Sequence, residues 1–465
     1  MSNKYRTLAS NTLLMTAGTF SSKVLVFLMV RFYTGCLTPE EYGTADLITQ
    51  TANLLIPVVS LDITDGVFRF AADRKSRRSD VFSVGLGVIA AGMAVMLLIM
   101  LLMRGIPAVR DYGLLLALYI AAACSHTLCS CFVRAKGRTA LFALQGLINT
   151  ALVILFNILF LAWFRLGVVG YVTATAAANL VTASILIVKE RLWRYIKPLP
   201  SLSLARRMLR YCIPLIPAGI SWWIMGVSDR YMVDYFLGSG SNGIYAVSYK
   251  IPTILTILAT VFIDAWQLSA IAEAGGDRRE HLKFYGKIWD AFISAVYMCA
   301  GGLITFSPLL IRILADEPYY SAWQYIPMLT LSMAAAAFSH FMGSVYVVTK
   351  DSMASFWSST AGAAVNIALN LWLIPLIGIQ GAATATFGSC LVVFIMRTVS
   401  AHRMMPFKLS GRKLILGVLV LLIQTAFMLF RWPGLAAMQA ASLFILFLLG
   451  LKPMIFAAQV ILQRR

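Results

Sequence analysis

Charged side chains interrupt the apolar stretch 211–264 at Asp229, Arg230 and Asp234, before a chargeless Gly-Ser turn at 238–243, and at Lys250 and Asp264 after it. Placing one charge at the centre of a membrane span costs at least about 2.5–3.5 kcal/mol, so such groups face a wet cavity or a partner. A second set, Lys23, Arg31, Asp46, Asp62, Asp65 and Arg69, interrupts the apolar sequence near the N-terminus. Groups of this kind can compensate an anionic headgroup or carry an ion; neither task needs a nucleophile or a metal cluster. Lys23 has no acid near it in sequence and could offset a phosphate or a sugar carboxylate. Asp65 and Arg69 stand four residues apart and are expected to form a structural ion pair.

The elements that position these groups are helices. The chain has 465 residues, of which 60% are hydrophobic and only 12% charged, with a mean hydropathy of +0.81. A soluble protein carries about 25% charged residues. Windows long enough to cross about 30 Å of hydrocarbon fall near 11–34, 43–70, 81–103, 112–133, 139–163, 168–188, 211–237, 243–270, 288–311, 322–348, 353–374, 379–396, 414–430 and 435–460. This reading predicts an all-α polytopic membrane protein with about fourteen transmembrane helices. No cleavable signal pattern precedes the first span, which is expected to stay as a helix.

The net charge of +20 argues for membrane topology rather than nucleic acid, because of where the charges lie. Basic residues crowd alternate connections, such as 74–78, 134–138, 189–210, 278–287 and 397–413. The other connections hold only Arg104, Arg110, Arg165, Arg312 and Arg431. Lys and Arg collect on the cytoplasmic side, so both termini are expected there.

Within the spans, nearly all charges fall on the first, second, seventh and eighth, with Asp290 and Lys452 as exceptions. Gly43 and Gly243 each open a helix after a short turn, and Arg31-Phe-Tyr matches Arg230-Tyr-Met upstream. Six spans separate the copies, so both run in the same direction. A parallel repeat of this kind places a substrate site between two bundles. The expected domains are a six-helix bundle over 1–190, a cytoplasmic linker over 191–210, a second six-helix bundle over 211–400 and two additional helices over 401–465. Thr12, Thr16, Thr19 and Lys23 mark one helical face of the first span. Asp46, Gln50, Asn53, Pro57, Ser60 and Thr64 mark one face of the second. Such stripes turn away from lipid, to line a cavity or to bond neighbouring helices. Pro57 and Pro252 are expected to kink the second and eighth spans. The seven cysteines lack metal-ligand spacing, and His126 and His340 read as packed polar groups.

The basic, polar first helix, the turn ending Glu40-Glu41-Tyr42-Gly43, and Asp229-Arg230 followed by Gly243-Ile244-Tyr245 together resemble the polysaccharide transporter family. These are lipid-linked oligosaccharide flippases of the multidrug/oligosaccharidyl-lipid/polysaccharide exporter superfamily. The resemblance implies two six-helix bundles around a central cavity, and export of undecaprenyl-pyrophosphate-linked glycans across a bacterial plasma membrane. It implies a cationic cavity, which Lys23, Arg31, Arg230 and Lys250 would supply beside Gln50 and Asn53. Asp46, Asp62, Asp65, Asp229, Asp234 and Asp264 become candidates for gating or for coupling to H⁺ or Na⁺. The last two helices are candidates to guide the lipid tail, as in the lipid II flippase branch. No cofactor is expected. The expected partners are the lipid-linked glycan, the bilayer and glycan-assembly enzymes.

Two other readings compete. A multidrug cation antiporter of the same superfamily would carry acidic cavity walls and a carboxylate in its first span, where this chain has Lys23 and Arg31. A membrane glycan polymerase or glycosyltransferase would need a sizeable external loop bearing catalytic Arg, His or acidic groups, and the external connections here are short.

Overall fold

The computed structural model describes residues 27–73, 77–103, 105, 107–197, 201–260, 262–263, 278–349, 352–430 and 432–462. Every regular element among these residues is helical. Ten helices among them are long and apolar enough to cross a membrane. The chain divides into two compact units, Met1–Trp223 and Ile224–Arg465; the division falls inside a helix, past the 191–210 linker read from the sequence.

The first unit runs through α1 (27–36), α2 (Pro39–Val59), α3 (Ile63–Ala72), α4 (Arg78–Leu102), α5 (Pro107–Ala135), α6 (Thr139–Asn157), α7 (Gly167–Glu190) and α8 (Leu202–Cys212). A π-helical turn, Ile158–Trp163, extends α6, and a 3₁₀ turn, Leu192–Tyr195, follows α7. The start of α2 is fixed locally. Thr38 and Glu41 form a reciprocal capping box, and Pro39 occupies the first turn, where no amide donor is required.

The second span is broken rather than merely kinked. Pro57 lies in the last turn of α2, and the chain then passes through left-handed Leu61 (φ 49°) and Asp62 (φ 52°) before α3 begins. The amide of Asp62 reaches back to the carbonyl of Pro57 at 3.0 Å. On α4, Gly92 passes the break so closely that an added Cβ would lie 1.8 Å from the Val59 carbonyl oxygen.

The second unit contains most of α9 (Ile216–Leu237), then α10 (Ser239–Lys250), α11 (253–260), α12 (Arg278–Thr305), α13 (Ser307–Leu314), α14 (Ile326–Thr349), α15 (Ser352–Ile377), α16 (Ile379–Met404), α17 (Gly411–Phe430) and α18 (Leu435–Leu462). As expected from Pro252, the eighth span is interrupted, with a turn at Ile251 and Pro252 separating α10 from α11. The centre of this unit is aromatic. The ring of Trp289 lies 5.0 Å from that of Phe341 and 5.6 Å from that of Phe338.

The two additional helices are tied into this unit by polar contacts. The Nε2 of Gln424 on α17 lies within hydrogen-bond distance of the Gly301 carbonyl (3.0 Å), Thr305 Oγ1 (2.8 Å) and Gln439 Oε1 on α18 (2.6 Å), and shares its two hydrogens among them. Thr305 in turn donates to Gln439 Oε1 at 3.0 Å. An amide in an apolar span has few alternative partners, so such contacts hold helices in register. At the other end, Gly417 lets the Tyr297 ring lie against the backbone of α17, and the Tyr297 hydroxyl donates to the Leu414 carbonyl at 2.7 Å.

Candidate functional site

The clearest constellation is built by α9, α10, α15 and α16 around Asp229. This carboxylate is fully buried. Its Oδ2 accepts from the hydroxyls of Tyr245 (2.6 Å), Tyr249 (2.9 Å) and Thr386 (3.0 Å). Its Oδ1 accepts from the backbone amide of Arg230 at 2.9 Å. Tyr245 and Tyr249 are one turn apart on α10, so helical spacing places both hydroxyls on the same acid. The Arg230 guanidinium, itself buried, lies over the Tyr249 ring, 5.0 Å from its centroid. Thr386 has a single hydroxyl hydrogen, shared between Asp229 Oδ2 and the Ala382 carbonyl, 3.0 Å from each.

The polar layer continues along α15. Ser228 donates to Asn366 Oδ1 at 3.1 Å, Asn370 donates to the same oxygen at 3.0 Å, and Asn366 donates to Ser389 at 3.3 Å. Asn370 Oδ1 is buried with no hydrogen-bond partner. Among the described residues no group of three or more His, Cys, Asp or Glu could hold a metal ion. This cluster offers one carboxylate with amide and hydroxyl oxygens, a donor set suited to a proton or an alkali cation.

The sequence-derived candidates are distributed as follows. Arg230 and Asp229 are buried together, Lys250 is half-buried at the end of α10, and Asp234 is half-buried near the end of α9. In the first unit, Arg31 is exposed on α1 and Asp46 is buried on α2. The carbonyl of Gln50 accepts from the Trp223 indole N–H at 3.1 Å, and Asn53 is exposed. Asp62 is half-buried at the break before α3, and Asp65 is exposed. Lys23 and Asp264 lie outside the described residues.

Two expectations are corrected. Asp65 and Arg69 form no ion pair; the guanidinium of Arg69 lies over the Tyr211 ring instead, 4.4 Å from its centroid. Arg397, read as part of a basic connection, is buried on α16 with 2% of its surface exposed. It donates to Ser358 (3.1 Å), Ser359 (3.0 Å) and the Ser339 carbonyl (3.2 Å). The polar residues of α14 and α15 that receive it are scattered in sequence, and the hydropathy window ends at 396, about two turns before α16 ends at Met404. His126 conforms to its reading as a packed polar group, with Nε2 2.6 Å from Gln145 Oε1.

Tyr249, Asn366, Asn370 and Thr386 are not among the residues read from the sequence, where Tyr245 enters only as part of the Gly243-Ile244-Tyr245 motif. The available signal was the spacing of four in each of the pairs Tyr245/Tyr249 and Asn366/Asn370, on helices otherwise rich in apolar residues.

Over 209 residues the chain is 25% identical to the protein described as "Probable lipid II flippase MurJ" of Thermotoga maritima. The matched stretch spans 42% of this chain and 42% of that protein. The solved structure "Lipid II flippase MurJ, inward closed conformation" superposes with a TM-score of 0.71 at 15% identity, covering 97% of this chain and all of that one. A Vibrio cholerae MATE transporter, VcmN, gives a TM-score of 0.59 at 15% identity, covering 86% of this chain and 97% of its own. At these identities the solved structures show a shared transporter fold. Residues 8–267, more than half of the sequence, match the family described as "Polysaccharide biosynthesis protein", and the chain belongs to that family.

Proposed function

We propose that the protein is an alternating-access flippase that exports an anionic, undecaprenyl-pyrophosphate-linked oligosaccharide or cell-envelope glycan precursor across the bacterial plasma membrane. The observation that carries this reading is the extent of the family match. Residues 8–267 include Lys23, Arg31, Arg230 and Lys250, and also every acid singled out in the first, second, seventh and eighth spans. In this reading the four cations, with Gln50 and Asn53, hold the pyrophosphate or acidic sugars. Both termini are assigned to the cytoplasm, a reading supported by the distribution of Lys and Arg. Glycan-assembly enzymes are the natural partners.

The driving ion, H⁺ or Na⁺, is assigned to Asp229. Its complete burial among the hydroxyls of Tyr245, Tyr249 and Thr386 supports this, because an ionisable group at membrane depth needs a function or a partner. Asp46, Asp62, Asp65, Asp234 and Asp264 are the remaining candidates for gating or coupling. Flipping forms and breaks no covalent bond, so no catalytic residue is assigned. The antiporter reading shares the fold, but the first span carries Lys23 and Arg31 and no acid.

The test is depletion of the protein in its own host. Lipid-linked precursor should accumulate in the inner leaflet, and wild-type protein should clear it. A Lys23→Ala, Lys250→Ala double variant, present at normal level, should not. Full clearance by the double variant removes the cationic-site idea. Drug resistance with an unchanged precursor pool selects the antiporter.

A further inference from the structure

The 189–210 segment is not a plain linker. Its helix α8 has 11 residues, about 16 Å at 1.5 Å per residue, too short to cross a bilayer by itself, and leads through a 3₁₀ turn, Ile213–Leu215, into α9. Leu204, Met208 and Cys212, four residues apart, are buried in the core of the first unit with Val67, Val81 and Val84. The seat is close-fitting, since a Cβ on Gly66 would lie 2.6 Å from Cys212 Sγ. The opposite face presents Arg206, Arg207 and Arg210, all exposed, together with Leu202, which is 85% exposed.

The turn before α8 repeats this composition. Arg191 and Arg194 are exposed beside Trp193 and Ile196, which are 49% and 50% exposed. Like α8, it is held against α4, where Ser83 accepts from the Lys197 amide at 2.7 Å and donates to the Tyr195 carbonyl at 3.0 Å. The acids nearby are already engaged. Asp80 pairs with Lys197 at 2.6 Å, and Glu190 pairs with Lys136 at 2.5 Å and with Arg138 at 3.8 Å. Among the described residues no ion pair reaches Lys189, Arg191, Arg194, Arg206, Arg207 or Arg210.

Positive charge alone would satisfy the topology rule. It does not require an exposed Leu202 on α8 and an exposed Trp193 on the turn before it, interleaved with arginines ahead of the span at 211–237. That combination is the pattern of an interfacial anchor, in which apolar side chains enter the headgroup boundary and guanidinium groups meet phosphate. We propose that the outer face of α8 and the adjoining 191–196 turn form a docking surface for the headgroups of anionic phospholipids in the leaflet at that end of the first unit. The assignment rests on the orientation proposed above, which puts this end at the cytoplasmic leaflet, where anionic lipids are concentrated.

Lipid retention by the purified full chain tests this without any transport measurement, so its failure is distinct from failure of the flippase reading. The protein is equilibrated in micelles doped with equal amounts of phosphatidylglycerol and phosphatidylcholine, and the retained lipid is read by native mass spectrometry. Wild type should favour phosphatidylglycerol, and the ratio should fall at least about tenfold in Arg206→Gln, Arg207→Gln, Arg210→Gln. Raised salt should produce the same fall in wild type. A control triple, Arg403→Gln, Lys408→Gln, Arg412→Gln, should keep the wild-type ratio. Should the α8 triple prove poorly folded, Leu202→Ser is expected to lower the ratio by itself. An unchanged ratio in the α8 variants, an equal fall in the control, or displacement of the lipid by soluble pyrophosphate each overturns the proposal.

Discussion

The Tyr245 hydroxyl donates to Asp229 Oδ2 at 2.6 Å, and both side chains are completely buried. Asp229 therefore owes its place to donors on two other helices, α10 and α16. Any movement of α10 relative to α9 has to break these bonds or carry Asp229 with it. This coupling makes the carboxylate a reporter of conformation as well as a candidate ion site.

The first prediction follows from that arrangement. Asp229→Asn keeps the shape of the side chain but removes its charge, so the protein should fold while losing the dependence of transport on an ion gradient. Tyr245→Phe removes one donor while Tyr249 and Thr386 remain, and should destabilise by about 1.5–3 kcal/mol, the range for a hydrogen bond to a charged group. Flipping in proteoliposomes with and without a Na⁺ or H⁺ gradient checks the first. Thermal unfolding in detergent checks the second. Unchanged gradient dependence in Asp229→Asn would remove Asp229 from the coupling role.

The sequence made the helical, membrane-spanning character legible, because long apolar windows have few other fates. The concentration of charge around Asp229 and Arg230 was legible for the same physical reason, since a charge in hydrocarbon stands out against its surroundings. Partnerships were not. Asp65 and Arg69 have the correct spacing for an ion pair, yet the nearby Tyr211 ring takes the guanidinium. Arg397 resembled a loop cation because its receptors, Ser339, Ser358 and Ser359, come from two other helices. Hydroxyls and amides such as Thr386 and Asn366 carry no charge and leave little trace in a hydropathy profile.

Arg397 leads to a second prediction. Its planar fork serves three oxygens in different directions, which a lysine ammonium cannot reproduce. Arg397→Lys should leave Ser358 or Ser359 without its donor and lower stability by about 1–3 kcal/mol. The single changes Ser358→Ala and Ser359→Ala should each cost less. A thermal midpoint for Arg397→Lys equal to wild type would show that the charge alone suffices.

A third prediction concerns the additional helices. Gln424 and Gln439 bond each other and Thr305, so their contributions should be non-additive. Gln424→Leu and Gln439→Leu should each cost about 0.6–1.7 kcal/mol, the range of interhelical bonds in membranes. The double variant should cost clearly less than the sum. If the two costs add, Gln424 and Gln439 act independently and α17 and α18 are held by apolar packing alone.

The break in the second span yields the last prediction, with an internal control on the same helix. Leu61 and Asp62 adopt left-handed conformations, at φ 49° and 52°, that disfavour side chains, so the break must be held by its surroundings. Gly92 is part of that support, because a Cβ there would meet the Val59 carbonyl oxygen at 1.8 Å. That contact is with backbone and cannot be relieved by a rotamer change. Gly92→Ala should therefore push α4 away from α2 and cost about 1–3 kcal/mol or more. Gly87, earlier on α4, is different: a Cβ added there would find nothing within 4 Å. Gly87→Ala should be neutral or stabilising by up to about 1 kcal/mol through helix propensity. Unfolding midpoints for the two variants compare the same chemical change in two surroundings. Equal midpoints would mean that α4 does not brace the break.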